Sequence, residues 1–404
     1  MNRTSGVHSA FLFEALHADG CHRGMNGMKK ILIIYSSRIP SVELVCNLMR
    51  IFRQETGVDV QEVQVIDCRA SHIAWADTIL AIRPFEGSAY GIVRAAKEAG
   101  KEIVVYLDDD LLHLPPVYSS RLRKFFTVAA LERNCRYLTE ILGFCDVLWG
   151  SSRFLLEKYR PLVRQGRCVR TDVAANLSRM RPVSPRGRDV RLLYAASGDH
   201  YAELNAYVIP ALNELADKFP NLRLTCVGLR REALSDCRVP MEVVPWFSSY
   251  EEYYSFVLQQ HFDIGVAPVR QEDFYRCKYF NKFIEYSILG MTGIYTKDEP
   301  YQAVVRDGVN GLLADNTAAS WKEKIECALE DADEAQQMVA RAQAYCLEHF
   351  SPGRQVEMLV RELPELYLEK GTDYGRVVFR PRYFLDHARK YANTLVGFYE
   401  RGRH

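Results

Sequence analysis

Apolar and polar positions along this chain fall into alternating blocks. Residues 31–36 form a short, continuous apolar run, as a parallel strand does when both its faces are covered. Helical spacing follows around Val42–Phe52. Further apolar runs predict strands over Val60–Ile66, Thr78–Ile82, Ile103–Leu107 and Asp146–Gly150. Between them the spacing predicts helices over Gly87–Ala99, Arg121–Ile141 and Ser151–Tyr159, the last opening on serines. The stretch Arg179–Asp189, with two prolines and a run of arginines, reads as a linker. After it the pattern restarts. Strands are expected at Val190–Ala196, Leu222–Val227, Met241–Val244, Phe262–Ala267 and Thr292–Thr296. Helices are expected at Tyr201–Lys218, Ser249–Gln260, Lys278–Gly290, Ser320–Ala328 and Asp333–His349. This alternation predicts an α/β protein with two doubly wound, Rossmann-like domains, and ligands at the carboxyl ends of their strands.

The chain has 404 residues, more than one ordinary domain holds. The expected division is a first domain over residues 28–180, a second over 188–352, and a closing segment over 353–404. Residues 1–27 lack a recognisable strand and read either as an upstream extension from an early start codon or as a docking helix; no signal peptide is recognisable there. The closing segment is basic and aromatic, with Arg376, Arg380, Arg382, Tyr383, Phe384, Arg389, Lys390, Tyr391, Phe398 and Tyr399. It suits either a helix that crosses back onto the first domain or an amphipathic surface that meets anionic lipid or a partner.

Composition removes some classes of function. A net charge of +1 leaves no global field for nucleic acid, so any phosphate must be met by a local cluster. The 11 cysteines show no C-x-x-C pair and no zinc spacing, which fits reduced thiols in a cytosolic protein. No apolar run reaches the roughly 18 residues of a membrane span.

Chemistry concentrates between Phe262 and Leu313. Lys278 and Lys282 stand one turn apart at the start of the expected helix, with Glu285 a further turn along. Two cations and a carboxylate near a helix N-terminus, just past a strand, suit phosphate and sugar hydroxyls. A second cluster, Ser197-Gly198-Asp199-His200, follows the first strand of the second half, where a small-residue turn lets backbone N–H groups approach phosphate. A third, Val244-Pro245-Trp246-Phe247, sits between a strand and a helix. It could stack on a base or plug the core. The fourth, Asp108-Asp109-Asp110, ends a strand of the first half, with His113 close by. It suits a cleft-facing role, a cap, or a divalent cation.

The stretch from Phe262 to Leu313 resembles the donor-binding core of GT-B glycosyltransferases, in particular the retaining, family-4-like group of bacterial polysaccharide and cell-surface glycan synthesis. Phe274, Lys278, Lys282, Glu285 and Tyr286 follow a variant of that group's motif. Its usual form has two glutamates separated by seven residues; Glu285 matches the second, and the first falls at Cys277, a departure. Asp307-Gly308-Val309-Asn310-Gly311-Leu312-Leu313 is similar to the group's Asn-Gly hairpin. The resemblance covers roughly residues 190–350 by motif, and the first half by fold logic alone.

The resemblance implies a GT-B fold with a C-terminal crossing helix and a hexosyltransferase working on a UDP-, GDP- or dTDP-sugar, with retention and without metal or other cofactor. Lys278 and Lys282 would meet the donor diphosphate, Glu285 the ribose hydroxyls, and Ser197, Gly198 and His200 the phosphate turn. Val244 and Trp246 would cover the base, with Phe274 and Tyr286 beside the donor. Asp109 would face the cleft toward an acceptor or donor sugar and His113 the acceptor side, both counted with Lys278 and Lys282 as catalytic. The acceptor would be a glycan, a lipid-linked intermediate or a small molecule, handled in the cytoplasm and in contact with the inner membrane face through the tail. Two other readings stay open: a transferase-like subunit of reduced turnover that docks on a partner, suggested by Cys277, and a GT-B nucleotide-sugar epimerase or hydrolase.

Overall fold

The computed structural model describes residues 28–115, 127–183, 186–196, 201–247 and 249–368. Two six-stranded sheets dominate it, and every strand pair is parallel. The first holds β1 (Lys30–Tyr35), β2 (Asp59–Gln64), β3 (Thr78–Ile82), β4 (Glu102–Leu107), β5 (Val147–Gly150) and β6 (Arg167–Arg170), in the order β2-β1-β3-β4-β5-β6. The second holds β7 (Val190–Ala195), β8 (Leu222–Val227), β9 (Met241–Val244), β10 (Ile264–Ala267), β11 (Thr292–Thr296) and β12 (Leu312–Ala314), in the order β12-β11-β10-β7-β8-β9. Strand order reverses at β1/β3 in one sheet and at β7/β10 in the other, and the crevice beyond the carboxyl ends at such a reversal is where open α/β sheets receive ligands.

The continuous apolar runs are central strands. β3 and β4 are buried along their whole length because helices cover both faces. Thr127 caps the helix Val128–Phe144, its side chain accepting from the Ala130 N–H; Ser152 caps Arg153–Tyr159 in the same way through the Leu155 N–H. In the second sheet Gly265 of β10 lies beside Gly293 of β11 in register. A Cβ on Gly265 would fall 2.4 Å from the Tyr286 ring, and one on Gly293 only 1.8 Å from the Tyr295 hydroxyl. Glycine at both positions lets these two tyrosines stack against the sheet, with ring centroids 6.0 Å apart.

After the long helix Ala332–Phe350, the helix Pro352–Glu362 returns to the first domain. Val356, Leu359, Leu363 and Leu366 join the same apolar cluster as Ile31, Ile33, Met49 and Phe52. Polar contacts fix the segment beyond: Arg167 donates to the Glu362 carbonyl at 2.8 Å, and Lys29 Nζ to the Leu368 carbonyl at 2.8 Å. Residues 1–27 and the basic, aromatic stretch from Arg376 lie outside the described residues. Among the described residues no helix is long and apolar enough to cross a membrane, and the described cysteines are all free.

Several expectations change. β2 ends at Gln64, and Val65–Asp67 turn into a 3-10 helix. The edge strand β6 had no signature in the sequence pattern. The expected linker is held against the second domain near its start: the Arg181 N–H donates to the Ile288 carbonyl at 2.8 Å, and Gln343 donates to the Arg181 carbonyl at 2.7 Å. Residues 307–313 form no hairpin, since β12 pairs parallel to β11. Asn310 is buried there because its side chain caps a turn, accepting from the Arg306 N–H at 2.7 Å and donating to the Val304 carbonyl at 3.0 Å. Gly308 supplies the left-handed residue of that turn, at φ 72°.

Candidate functional site

The carboxyl end of β10 opens into a loop pinned at its first turn. The Val269 N–H donates to Thr296 at 2.9 Å, and the Val269 carbonyl accepts from Asn316 at 2.9 Å. A short helix, Asp273–Arg276, follows, and then the chain leaves helical geometry until Asn281–Ile288. Lys278 therefore precedes the helix rather than opening it. Tertiary packing explains the break. Cys277, Tyr279 and Phe280 are all buried, and Cys277 packs into the first domain's core while Tyr279 and Phe280 pack into the second's. Neighbouring residues drawn to opposite cores cannot share one helical stripe.

Lys282 and Glu285 stand at i, i+3, with Lys282 Nζ 2.8 Å from Glu285 Oε1. The same oxygen accepts from the Tyr253 hydroxyl at 2.5 Å. Burial first, and then the Glu285 charge, push the Tyr253 hydroxyl well above the ordinary tyrosine range, so it remains a donor. Lys282 Nζ also sits 5.4 Å from the Tyr253 ring centroid and 5.6 Å from that of Tyr286. Glu285 itself is only 4% exposed, whereas the side chain of Lys282 is 25% exposed. The result is a buried carboxylate with one oxygen held by two donors, one of them the partly exposed Lys282 ammonium.

The opposing wall comes from the first domain. Lys278 Nζ reaches Asp109 Oδ1 at 2.9 Å, an ion pair between the two domains. Asp109 Oδ2 accepts from Arg83 Nη1 at 2.8 Å, and Arg83 also pairs with Asp108. Burial opposes the charge on Asp109, yet Lys278 and then Arg83 outweigh it and hold its carboxyl well below the ordinary range. Arg83 follows β3 with its backbone in the left-handed region, φ 52°. Asp110 points elsewhere. It is fully buried and accepts from Lys158 at 2.6 Å, Tyr159 at 2.7 Å and His113 Nδ1 at 2.9 Å. The three aspartates therefore do not converge as a cation site would. Among the described residues no group of His, Cys, Asp and Glu side chains could hold a metal ion.

The other expected residues are placed as follows. Trp246 lies beyond β9, 61% exposed, its ring against Gly228, where a Cβ would fall 2.6 Å away. The Val244 carbonyl accepts from the Gly228 N–H at 2.9 Å, so that group is already engaged. Phe247 links this end to the carboxylate, with its ring centroid 6.1 Å from that of Tyr253. Phe274 is buried beneath Lys278, whose Nζ lies 4.8 Å from its ring centroid. Tyr286 is a correction: it is fully buried, its hydroxyl donates to the Val266 carbonyl at 3.0 Å, and its place is the packing of β10. Cys277, where the motif's first glutamate would stand, is buried with its thiol pushed up to about 12 by desolvation, so it brings neither a carboxylate nor a thiolate. Ser197, Gly198 and His200 lie outside the described residues. His113 pairs with Asp110, which points away from Lys278 and Arg83.

Two residues escaped the sequence reading. Arg83 stands alone before Pro84 with no motif around it. Tyr253 had a weak signal: Ser249 caps the helix Tyr250–Gln260, and Tyr250, Tyr253 and Tyr254 fall at helical spacing behind it.

The fold is GT-B. A sucrose-phosphate synthase (tll1590) from Thermosynechococcus elongatus superposes with a TM-score of 0.59 at 13% identity, covering 84% of this chain and 99% of its own. Alr3699/HepE from Anabaena, in complex with UDP and glucose, gives a TM-score of 0.56 at 13% identity over 83% of this chain and 99% of its own. A glycosyltransferase from Rickettsia africae ESF-5 gives 0.56 at 11% identity over 84% and 99%. At such identities the likeness establishes architecture alone. No family model and no curated protein matches the sequence.

Proposed function

We propose that this protein is a glycosyltransferase that moves a sugar from a nucleotide-sugar donor to a hydroxyl acceptor. The observation that carries the reading is the Lys282–Glu285 pair in the helix that follows β10, beside the second sheet's reversal point, with Lys278 of the same connection paired to Asp109 of the first domain. The two lysines compensate the diphosphate and the charge that grows on it as the glycosidic bond breaks, a task that preorganised cations perform in a half-buried site. Glu285 takes a ribose hydroxyl through the oxygen that Tyr253 and Lys282 leave open. Trp246 and Phe247 flank the base. The fold-level likeness to HepE, whose structures carry UDP and UDP-glucose, makes a uridine nucleotide the first donor to test.

Retention of configuration, independence of metal, and a glycan or lipid-linked acceptor at the inner membrane face belong to the same proposal by resemblance. The test is thermal stabilisation by UDP, GDP, CDP, ADP and dTDP, each with and without EDTA, since a ligand that binds only the native state raises Tm by mass action. The expected outcome is a shift with one nucleoside diphosphate that EDTA does not remove. No shift with any of the five sinks the reading. A shift lost on adding EDTA removes metal independence alone.

A further inference from the structure

We propose that Asp109 and the donor's diphosphate compete for the Lys278 ammonium, so that donor binding releases Asp109 toward the acceptor. The inference rests on the donor-site reading and adds a coupling between the two walls of the cleft.

Lys278 belongs to the second domain and Asp109 to the first, and they meet at 2.9 Å. A diphosphate reaching that ammonium would stand beside the Asp109 carboxylate, and two anions on one cation repel. Removing a partner from a half-buried charge is ordinarily costly because the charge is left alone. Asp109 escapes that penalty. Its other oxygen keeps Arg83 at 2.8 Å, so it can give up Lys278 without standing unpaired. Arg83 is itself anchored on Asp108 and by its N–H to the Tyr106 carbonyl at 2.9 Å. The arrangement is an exchange in which each anion ends with its own cation: the diphosphate with Lys278, Asp109 with Arg83. The oxygen of Asp109 that is released is the one that faced the donor domain. Arg83 acts here as a positioning residue, and its left-handed backbone, φ 52°, is the strained conformation such a constraint imposes.

Competition has a sign that a structural salt bridge lacks. Removing Asp109 should tighten diphosphate binding, and only while Lys278 is present. Isothermal titration of UDP and of inorganic pyrophosphate into the wild type, Asp109→Asn, Lys278→Met and the double variant reads this directly. Asp109→Asn should bind both ligands roughly fivefold tighter, Lys278→Met more weakly, and Asp109→Asn should add nothing in the Lys278→Met background. With Asp109 held well below the ordinary carboxylate range, the gain should be present at both pH 6 and pH 8. Asp109→Ser, which keeps no carboxamide, should reproduce it if the asparagine variant folds poorly. Unchanged or weaker binding in both Asp109 variants overturns the proposal, as does an equal gain in both backgrounds, which would mean only a change of overall field. If the wild type binds neither pyrophosphate nor any nucleoside diphosphate, the donor reading falls and takes this inference with it. Binding with an additive cycle removes this inference alone.

Discussion

The two walls of the cleft carry opposite charges and are assembled by opposite means. On the second domain's side, the proposed donor wall, Lys278, Lys282 and Glu285 come from one connection within eight residues, and helix geometry alone brings two of them into contact. On the facing side, Asp108, Asp109 and Asp110 are consecutive, but apart from His113 their partners come from elsewhere: Arg83 from the end of β3, Lys158 and Tyr159 from the helix after β5. A local cluster leaves a spacing that can be read along the chain. A cluster closed by long-range pairs leaves only its loudest half.

The difference sets the largest expected effect. If Lys282 holds the proposed leaving group, Lys282→Ala should lower turnover by about a hundredfold, because a preorganised cation there acts chiefly in the transition state. Glu285→Gln should instead weaken nucleotide binding by roughly tenfold while retaining most turnover at saturation. Steady-state kinetics with the donor identified by thermal shift would separate kcat from KM for each. Wild-type kcat/KM in both variants would remove the donor wall from the chemistry.

On the facing wall the largest effect should be on stability. Asp110 is fully buried with three donors, so Asp110→Asn should cost about 2 to 3 kcal/mol. The cost must depend on pH in one direction. Burial opposes the charge of Asp110, yet the hydrogen bonds from Lys158, His113 and Tyr159 prevail, and its folded pKa lies below the unfolded value. Its stabilisation is therefore complete above the unfolded value, about 3.9, and is lost as pH falls through the folded value. Asp172, Asp263 and Glu299 shift the other way through burial, and their contribution runs against this one in both proteins alike. The gap in Tm between wild type and Asp110→Asn should thus be widest near neutrality and close below about pH 4. A gap that stays constant down to pH 3 would show that packing, not charge, is what the variant loses.

Gly265→Ala probes the sheet beneath Lys282 and Glu285. The added Cβ meets the Tyr286 ring, whose centroid lies 6.0 Å from that of Tyr295. The expected cost is about 1 to 3 kcal/mol of stability by chemical denaturation. Because Tyr286 neighbours Glu285, nucleotide binding should weaken as well. Full stability with intact binding would mean the sheet yields locally without moving the site.

Much of this was legible in the order of hydrophobic blocks. The two sheets apart from the edge strands β6 and β12, the restart after residue 189 and the Lys282–Glu285 pair follow from periodicity, since buried parallel strands and helix faces are local patterns. The course of residues 277–280 was not, because no proline or glycine breaks the helix there. It is broken by Cys277 and Phe280 finding different cores. Arg83 was invisible for a related reason: its meaning lies in Asp108 and Asp109, some 25 residues away, and in a backbone conformation that no side-chain pattern announces. Tyr286 was misread because core and site residues alternate on one short helix, and the motif does not say which way each one faces.

The smallest expected effect decides whether the aromatic end of the donor wall belongs to the site at all. Trp246 is 61% exposed, so Trp246→Ala should leave stability within about 0.5 kcal/mol. If its ring covers the base, UDP should bind about fivefold more weakly, since stacking on one base contributes about 1 kcal/mol or more. Pyrophosphate, which has no base, should bind the variant and the wild type alike. Equal loss for both ligands would mean that the substitution disturbs the lysines through Phe247 and Tyr253. No loss for either would leave Trp246 as a lid on Gly228 and place the base elsewhere along the carboxyl end of the second sheet.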